Sequence, residues 1–451
     1  PDRPLLPPQF RFNWSSPFII SSHNSKKVLF GSNHLFQSYD RGDNWKIISP
    51  DLTTNDKTLR NTSNGGGLTN SNTGGENHYT IITISDTPID TTTIWVGTDD
   101  GNVQVTKDNG KTWENVKNNI NGIPEKIWVS RVEASKHSKG RAYVSFDNHR
   151  FDDNRPYVFF TEDFGDTWTN ISSNLPEDYS VYVIKEDYID ENLLFVGTEK
   201  SVYFSNNRGI TWEKLGSNLP TVAIHDLVIH PRDGDLIAGT HGRSIWILDD
   251  INPLRFLNKK EDNLLPSRLS TKWIKINTGR KQPFFEFRGE NPSYGSMINF
   301  FSTVSTKGEL IISKSTEKNY SGPIFKMFLD IKEGINRFIW PFKLNRSQDE
   351  FIRYREKFVE IKKEFKDIVR DKKGLDSYNF KDQKSFTDLN VIRKKFLDNY
   401  GMYAGGEKVF PKKLYEDFEV SEGIYNLKIR LENGKEFTDK IVVREDPIKS
   451  N

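Results

Sequence analysis

One eight-residue phrase, present four times, constrains the first half of the chain more than any other feature. Ser38-Tyr39-Asp40-Arg41-Gly42-Asp43-Asn44-Trp45 recurs as Thr106 to Trp113, as Thr161 to Trp168 and, with Asn207 in place of the aspartate, as Ser205 to Trp212. Each copy closes a run of β-type residues. A turn that keeps Ser/Thr, Asp, Gly and Trp at fixed offsets has physical requirements. The hydroxyl and carboxylate bond nearby backbone amides, the glycine takes a positive φ, and the indole packs between neighbouring sheets. Asp40, Gly42 and Trp45 are therefore read as structural, as are Asp108, Gly110 and Trp113; Asp163, Gly165 and Trp168; and Asn207, Gly209 and Trp212. Asn207 keeps the pattern without a carboxylate, which argues against metal binding or catalysis by these aspartates.

The four tryptophans are separated by 68, 55 and 44 residues, so a core of roughly 40 residues carries insertions of different length. A period of that size, built of four short strands, is a propeller blade. The inner strand of each unit is expected at Pro17 to Ser21, Thr80 to Ser85, Val129 to Ala134, Val181 to Lys185 and Ala223 to His230. A second strand follows and ends in Gly31-Ser32, Gly97-Thr98, Gly197-Thr198 or Gly239-Thr240, where glycine implies close backbone approach or a bulge. The fifth unit is partial, with Trp246-Ile247-Leu248-Asp249-Asp250 where the others carry the turn. Five units do not close a ring, so further blades are expected upstream, and Pro1 to Phe12 is expected to supply an outer strand to a neighbouring blade. Pro1-Asp2-Arg3-Pro4 has neither an initiator Met nor a basic-then-apolar leader and reads as the interior of a longer chain, with any export signal upstream.

Two segments interrupt the blades. Asp51 to Asn77, rich in Thr, Asn, Ser and Gly, lacks apolar anchors and reads as a long loop, and Arg150 to Arg155 reads as a charged surface loop. Past Pro253 the repeated turn disappears and Lys becomes frequent. The expected organisation is blades over 1–252, a linker over 253–282, and a small β-sandwich over 283–451 with a helical insertion at 347–400. Strand-like runs lie at Phe284 to Phe287, Ser296 to Phe301, Glu309 to Ser313 and Asn336 to Leu344. Phe351, Tyr354, Phe358, Ile361, Phe365 and Ile368 have helical spacing, and a second helix is expected at Val391 to Asn399. Gly423 to Leu431 and Lys435 to Val443 read as a hairpin through Asn433-Gly434.

Composition excludes several functions. Lys+Arg 64 against Asp+Glu 62 leaves a formal net charge of +2, too little for a whole-protein field that holds nucleic acid, so no nucleic-acid partner is expected. There is no cysteine, which removes disulfides, thiolate catalysis and cysteine-ligated metals.

The phrases Trp95 to Gln104, Trp128 to Ser135, Phe195 to Glu199, His225 to Pro231 and Gly239 to Asp250 resemble the sortilin-like Asp-box (BNR-repeat) propeller proteins of bacteria, often labelled glycosyl hydrolase. Asn291 to Asn299 and Gly423 to Leu427 are similar to the immunoglobulin-like C-terminal domain of that group. The resemblance implies an exported protein, in the periplasm, at the cell surface or secreted, and a chain that forms the C-terminal part of a longer one with more blades ahead.

Asp-box propellers include sialidases and inverting glucanases, so an enzyme has to be tested on residues. Sialidases gather three arginines around a carboxylate, and only Arg131 lies on an inner strand. An inverting glycosidase needs two carboxyl groups about 6.5–9.5 Å apart. Asp99, Asp100, Glu133, Glu199 and Asp226 are the acids nearest a propeller mouth, with Asp99 and Asp100 read as a turn before Gly101 and Glu133 as an ion pair to a neighbouring blade. No catalytic residue, cofactor or metal is assigned. His225 and His230 are five apart on one strand and face opposite ways, which disfavours a shared metal, whereas His241 can approach His225. Inner-strand ends and their loops form the default ligand surface of a propeller. They carry Trp14, His78, Tyr79, Trp128, Arg131, Tyr182, His225 and Asp226, aromatic faces with interspersed polar groups. That surface suits a protein or peptide partner, in a scaffold of a cell-envelope complex; the alternative is a glycan, bound or hydrolysed.

Overall fold

The computed structural model describes residues 10–56, 77–216, 218–257, 261–266, 268–273, 289, 291–315, 323–344 and 420–447. The expected helices at 347–400, the run at Phe284 to Phe287 and most of the Asp51 to Asn77 loop lie outside the described residues. The chain divides into two compact units, 1–258 and 259–451.

The first unit is a succession of propeller blades, each an antiparallel meander. Blade 1 comprises Phe18–Ser21, Asn24–Gly31, Leu35–Ser38 and Lys46–Ile47. Blade 2 comprises Ile81–Asp86, Ile94–Thr98, Val103–Thr106 and Glu114–Asn115. Blade 3 comprises Trp128–Ala134, Ala142–Asn148, Asp153–Thr161 and Thr169–Asn170. Blade 4 comprises Val181–Glu186, Leu194–Thr198, Val202–Ser205 and Glu213–Lys214. Blade 5 has three strands, Ile224–Ile229, Leu236–Thr240 and Ile245–Leu248, as its missing turn implies.

Alternation along each strand gives every inner blade two apolar faces, one per neighbour. In blade 2, Ile94 and Val96 pack with Leu29 and Leu35 of blade 1, while Trp95 packs with Val129 and Phe146 of blade 3. Blades 3 and 4 share Tyr143, Val158, Ile184 and Leu194, and blades 4 and 5 share Val183, Phe195, Leu227 and Ala238. The glycine of the second strand permits this approach. A Cβ on Gly97 would stand 2.4 Å from a Val129 methyl of the next inner strand. At the two ends of the array the same faces are exposed. Phe18, Ile20 and Ile47 are solvent-accessible on blade 1, as are Val228, Ile245 and Ile247 on blade 5.

The repeated turn behaves as its residue types require. The amides of Gly42, Gly110, Gly165 and Gly209 donate to the hydroxyls of Ser38, Thr106, Thr161 and Ser205 at 2.8–2.9 Å. One oxygen of Asp40, Asp108 and Asp163 accepts the amide four residues on, and the Asn207 amide oxygen does the same at 2.9 Å, so one acceptor oxygen suffices. These bonds hold the exposed carboxyls of Asp40 and Asp108 down at about 2, led by the Asn44 side chain and the Thr112 amide respectively. Gly165, at φ +95°, lies where a Cβ would stand 2.8 Å from Val116 of the preceding blade.

The second unit is a β-sandwich. One sheet pairs Asn263–Leu265, Ser296–Ser302 and Gly334–Trp340. The other runs Ser270–Lys272, Glu436–Glu445, Gly423–Leu431, Thr306–Lys314 and Phe325–Ile331. Ile298, Phe300 and Trp340 of the first face Leu310, Leu427, Ile429 and Ile441 of the second. The linker expected over 253–282 is corrected over its described residues, 274–282 lying outside them. Asn252–Phe256 is a 3-10 turn that buries Leu254 against blades 4 and 5, and Asn263–Leu265 and Ser270–Lys272 are sandwich strands. Strands of three residues carry too little alternation to be seen in sequence.

Candidate functional site

The inner strands and the residues beside them line a cleft of about 770 Å³ in the blade unit. Six of the eight expected ligand residues meet there: Trp14, Trp128, Arg131, Tyr182, His225 and Asp226. They come from four segments, the stretch before blade 1 and the inner strands of blades 3, 4 and 5, and Ile82 to Ile84 of blade 2 complete the lining. Trp14 and Phe18 stand nearly free in solvent at 81% and 71% exposure, an unusual state for large apolar side chains.

His78 stands behind this wall. Its ring stacks on Trp128 at 5.4 Å, and its Nδ1 lies 3.3 Å from an Asp99 oxygen. Tyr79 is a correction. It sits at φ +64° with its side chain buried, and its carbonyl accepts Arg11 Nε at 3.1 Å, so it belongs to the packing between blades 1 and 2. The residue after it, Thr80, anchors this turn by donating its amide and hydroxyl to Asp99 at 2.8 and 2.7 Å.

Among the lining residues that escaped the sequence reading are the aromatic Phe18 and three polar ones with ionisable side chains, Asp147, His149 and Arg150. The expected surface loop beginning at Arg150 instead turns its first side chain inward, with the guanidinium 3.7 Å from the Trp128 ring centroid. His149 Nδ1 lies 2.7 Å from Asp147, and Arg150 bonds the same carboxylate at 3.1 Å. The only local signal is an Asp and a His two apart across a strand end, which matches many ordinary turns.

Charges in the cleft are committed to one another. Arg131 reaches from blade 3 to Asp226 of blade 5 at 2.9 Å and to the His225 carbonyl at 3.2 Å. The Tyr182 hydroxyl donates to Glu199, and burial followed by that bond pushes the phenol well above its ordinary pKa. The other acids weighed for hydrolysis are structural in their contacts. Glu133 is buried between Lys136 and Lys185, whose charges overcome burial and hold it at about 2. Asp100 accepts the Thr54 amide and hydroxyl, and burial and the Asp99 charge push it upward. Arg141 pairs with Glu162 and Glu191, and Arg155 with Asp153, so neither joins Arg131 and Arg150 in the cleft.

His78 yields a testable pH dependence. Burial alone would lower its pKa, but the hydrogen bond and charge of Asp99 outweigh burial and raise it above 6.5. The folded state then holds this proton more tightly than the unfolded one. Its stabilisation is complete below 6.5 and disappears as pH rises through the folded value. Urea midpoints measured across this range are expected to lose a pH-dependent component in His78→Gln. Identical slopes in the two proteins would refute the assignment.

Among the described residues no helix is long and apolar enough to cross a membrane, and no cluster of His, Cys, Asp and Glu is arranged to hold a metal ion. No protein-family model matches the chain, and no curated protein matches its sequence. Solved propeller structures do match. A GH74 xyloglucanase from Xanthomonas campestris is 15% identical, covering 70% of this chain and 50% of that one, at a TM-score of 0.38. YCF48 bound to D1 peptide is 13% identical, covering 53% and 65%, at 0.31. The extracellular domain of a putative one-component system from B. thetaiotaomicron is 11% identical, covering 68% and 34%, at 0.35. The chain spans half the length of the xyloglucanase. At such identities and scores the likeness extends to the blade fold and to neither ligand nor chemistry.

Proposed function

We propose that the blade array is a binding scaffold whose cleft takes an extended segment of a protein or peptide. One observation carries this reading: every acidic side chain that lines the cleft is already neutralised by a neighbour. Asp147 is held by His149 and Arg150, and Asp226 by Arg131. Hydrolysis of a glycoside needs one carboxyl group free to give up a proton and a second free to attack or to activate water. What the cleft offers instead is aromatic surface, from Trp14, Phe18, Trp128 and Tyr182, beside paired charges that fix orientation. Aromatic and arginine residues are those that dominate protein interfaces energetically. The sortilin-like resemblance supports an exported location in the periplasm, at the cell surface or in the medium, with the chain acting within a cell-envelope complex. The exposed Trp14 favours a second reading, a platform for a sugar ring, which makes glycan the alternative ligand.

The test is a native pull-down with the wild-type chain and with Trp128→Ala/Tyr182→Ala. A stoichiometric protein partner retained by the wild type and weakened by about tenfold or more in the variant is the expected result, since central aromatic anchors contribute about 2 kcal/mol or more. Hydrolysis of a polysaccharide by the wild type without any partner would replace this reading with the glycan one.

A further inference from the structure

Three rings lie in series, beginning with Tyr182 and His225 in the wall of the cleft. Tyr182 of blade 4 lies parallel to His225 of blade 5, with centroids 4.5 Å apart and planes 11° apart. His241, in the turn after the second strand of blade 5, follows at 5.2 Å and 41°. His149 closes on the far side of Tyr182 edge-on, at 6.2 Å. Both His225 and His241 are exposed, and neither imidazole bonds a protein group among the described residues.

The charges that face this pair come from every neighbouring segment, and each acid among them is occupied. Glu199, after the second strand of blade 4, accepts the Tyr182 hydroxyl. Asp147, at the end of the second strand of blade 3, is bound by His149 and Arg150. Asp226 is bound by Arg131, and the same Arg131 amine donates to the His225 carbonyl. Arg131 also has a buried Nε with no acceptor. Partial desolvation of the ring stacked on Tyr182 first, and His241 second, hold His225 below the usual imidazole range against the opposing charges of Glu199 and Asp147. The neighbouring imidazole disfavours the charged form of His225, and an anion placed between the two rings offsets that penalty. A carboxylate has two oxygens to accept one N–H from each ring, in bonds strengthened by charge on both partners.

We propose that His225 and His241 form a proton-dependent seat for a carboxylate of the bound peptide, an assignment that rests on reading the cleft as peptide-binding. Binding draws protons onto the imidazoles, so affinity rises as pH falls through the histidine range. It declines again only near about pH 4, where the ligand carboxyl itself protonates. The carboxylate can belong to an acidic side chain or to a chain terminus, and the test separates the two.

Calorimetric titration of the whole 451-residue chain at about pH 5.5 and about pH 7.5 brackets histidine protonation. The probes are N-acetylated hexaglutamate with an amidated C-terminus, N-acetylated hexaglutamine with a free C-terminus, and N-acetylated hexaglutamine amide as the neutral control. At least one carboxylate probe is expected to bind about tenfold tighter at the lower pH, the change that one displaced pKa unit produces. The control is expected to show no such gain. In His225→Gln and His241→Gln the gain is expected to vanish. In the wild type the imidazole signals, followed by NMR, are expected to titrate at higher pH once the probe is present. Because that shift is read on the unaltered chain, the assignment survives a variant that folds poorly. Binding of a carboxylate probe without pH dependence, a pH gain that persists in both variants, or binding of the neutral control alone would overturn the seat and leave the peptide reading standing. A rise in the imidazole titration with acetate but with none of the peptides would uphold the seat and overturn the peptide reading.

Discussion

Replacing Trp212 by alanine is expected to destabilise the blade unit by about 3–5 kcal/mol, whereas the same change at Trp45, in the same position of the same turn, is expected to remove about 1–2 kcal/mol. Trp212 is 3% exposed; it packs with Tyr143 and Val158 of blade 3 and donates its indole N–H to the Ile171 carbonyl at 2.7 Å. Its removal opens a cavity between two sheets and leaves that carbonyl unsatisfied. Trp45 is 43% exposed, and its ring neighbours are Phe30 and Phe36 of its own blade. No sheet precedes blade 1 among the described residues to bury it. Chemical denaturation followed by near-ultraviolet circular dichroism measures both. Equal losses would show that the indole stabilises its own hairpin and not the contact between blades.

That contrast shows what a sequence can and cannot say about a repeat. Ser38, Asp40, Gly42 and Trp45 lie within eight residues, and their hydrogen bonds are local, so composition and spacing alone define the turn. The inner strands were legible for the same reason, because alternation is a local property: Val181–Glu186 and Ile81–Asp86 fall within a residue of where their patterns place them. The exposure of Trp45 depends on what lies beyond the strand, which no local pattern encodes.

The cleft divides along the same line. Trp128, Tyr182 and His225 could be named because inner-strand starts are predictable and a propeller brings them together. Arg150 could not, because its place over Trp128 is set by the turn His149–Phe151 and by Asp152 at φ +58° after it, within a loop whose composition looks like any charged surface. Tyr79 failed in the other direction. Its neighbour His78 turns toward Trp128, but a positive φ sends Tyr79 itself into the interior.

Arg255→Met is expected to cost about 3–5 kcal/mol, although the residue lies in what the sequence presents as the start of a linker. Its guanidinium makes a two-pronged contact with Asp187, Nε to Oδ2 at 2.8 Å and Nη2 to Oδ1 at 2.7 Å, with side-chain exposures of 4% and 0%. Asp187 directly follows the inner strand of blade 4, and Arg255 belongs to the turn that follows blade 5, so the pair ties the end of the array back across one blade. Loss of the cation leaves a buried carboxylate with the Ile189 and Asp190 amides as its remaining side-chain partners. The cost thus arises from an uncompensated charge more than from a lost attraction, and it is expected to be little affected by salt. The double variant Asp187→Asn/Arg255→Met separates the two: with both charges gone, stability is expected to recover by about 1–3 kcal/mol relative to Arg255→Met. A loss under about 1 kcal/mol in the single variant, the value of an exposed pair, would mean that water reaches Asp187 and that the turn is not latched to blade 4 in solution.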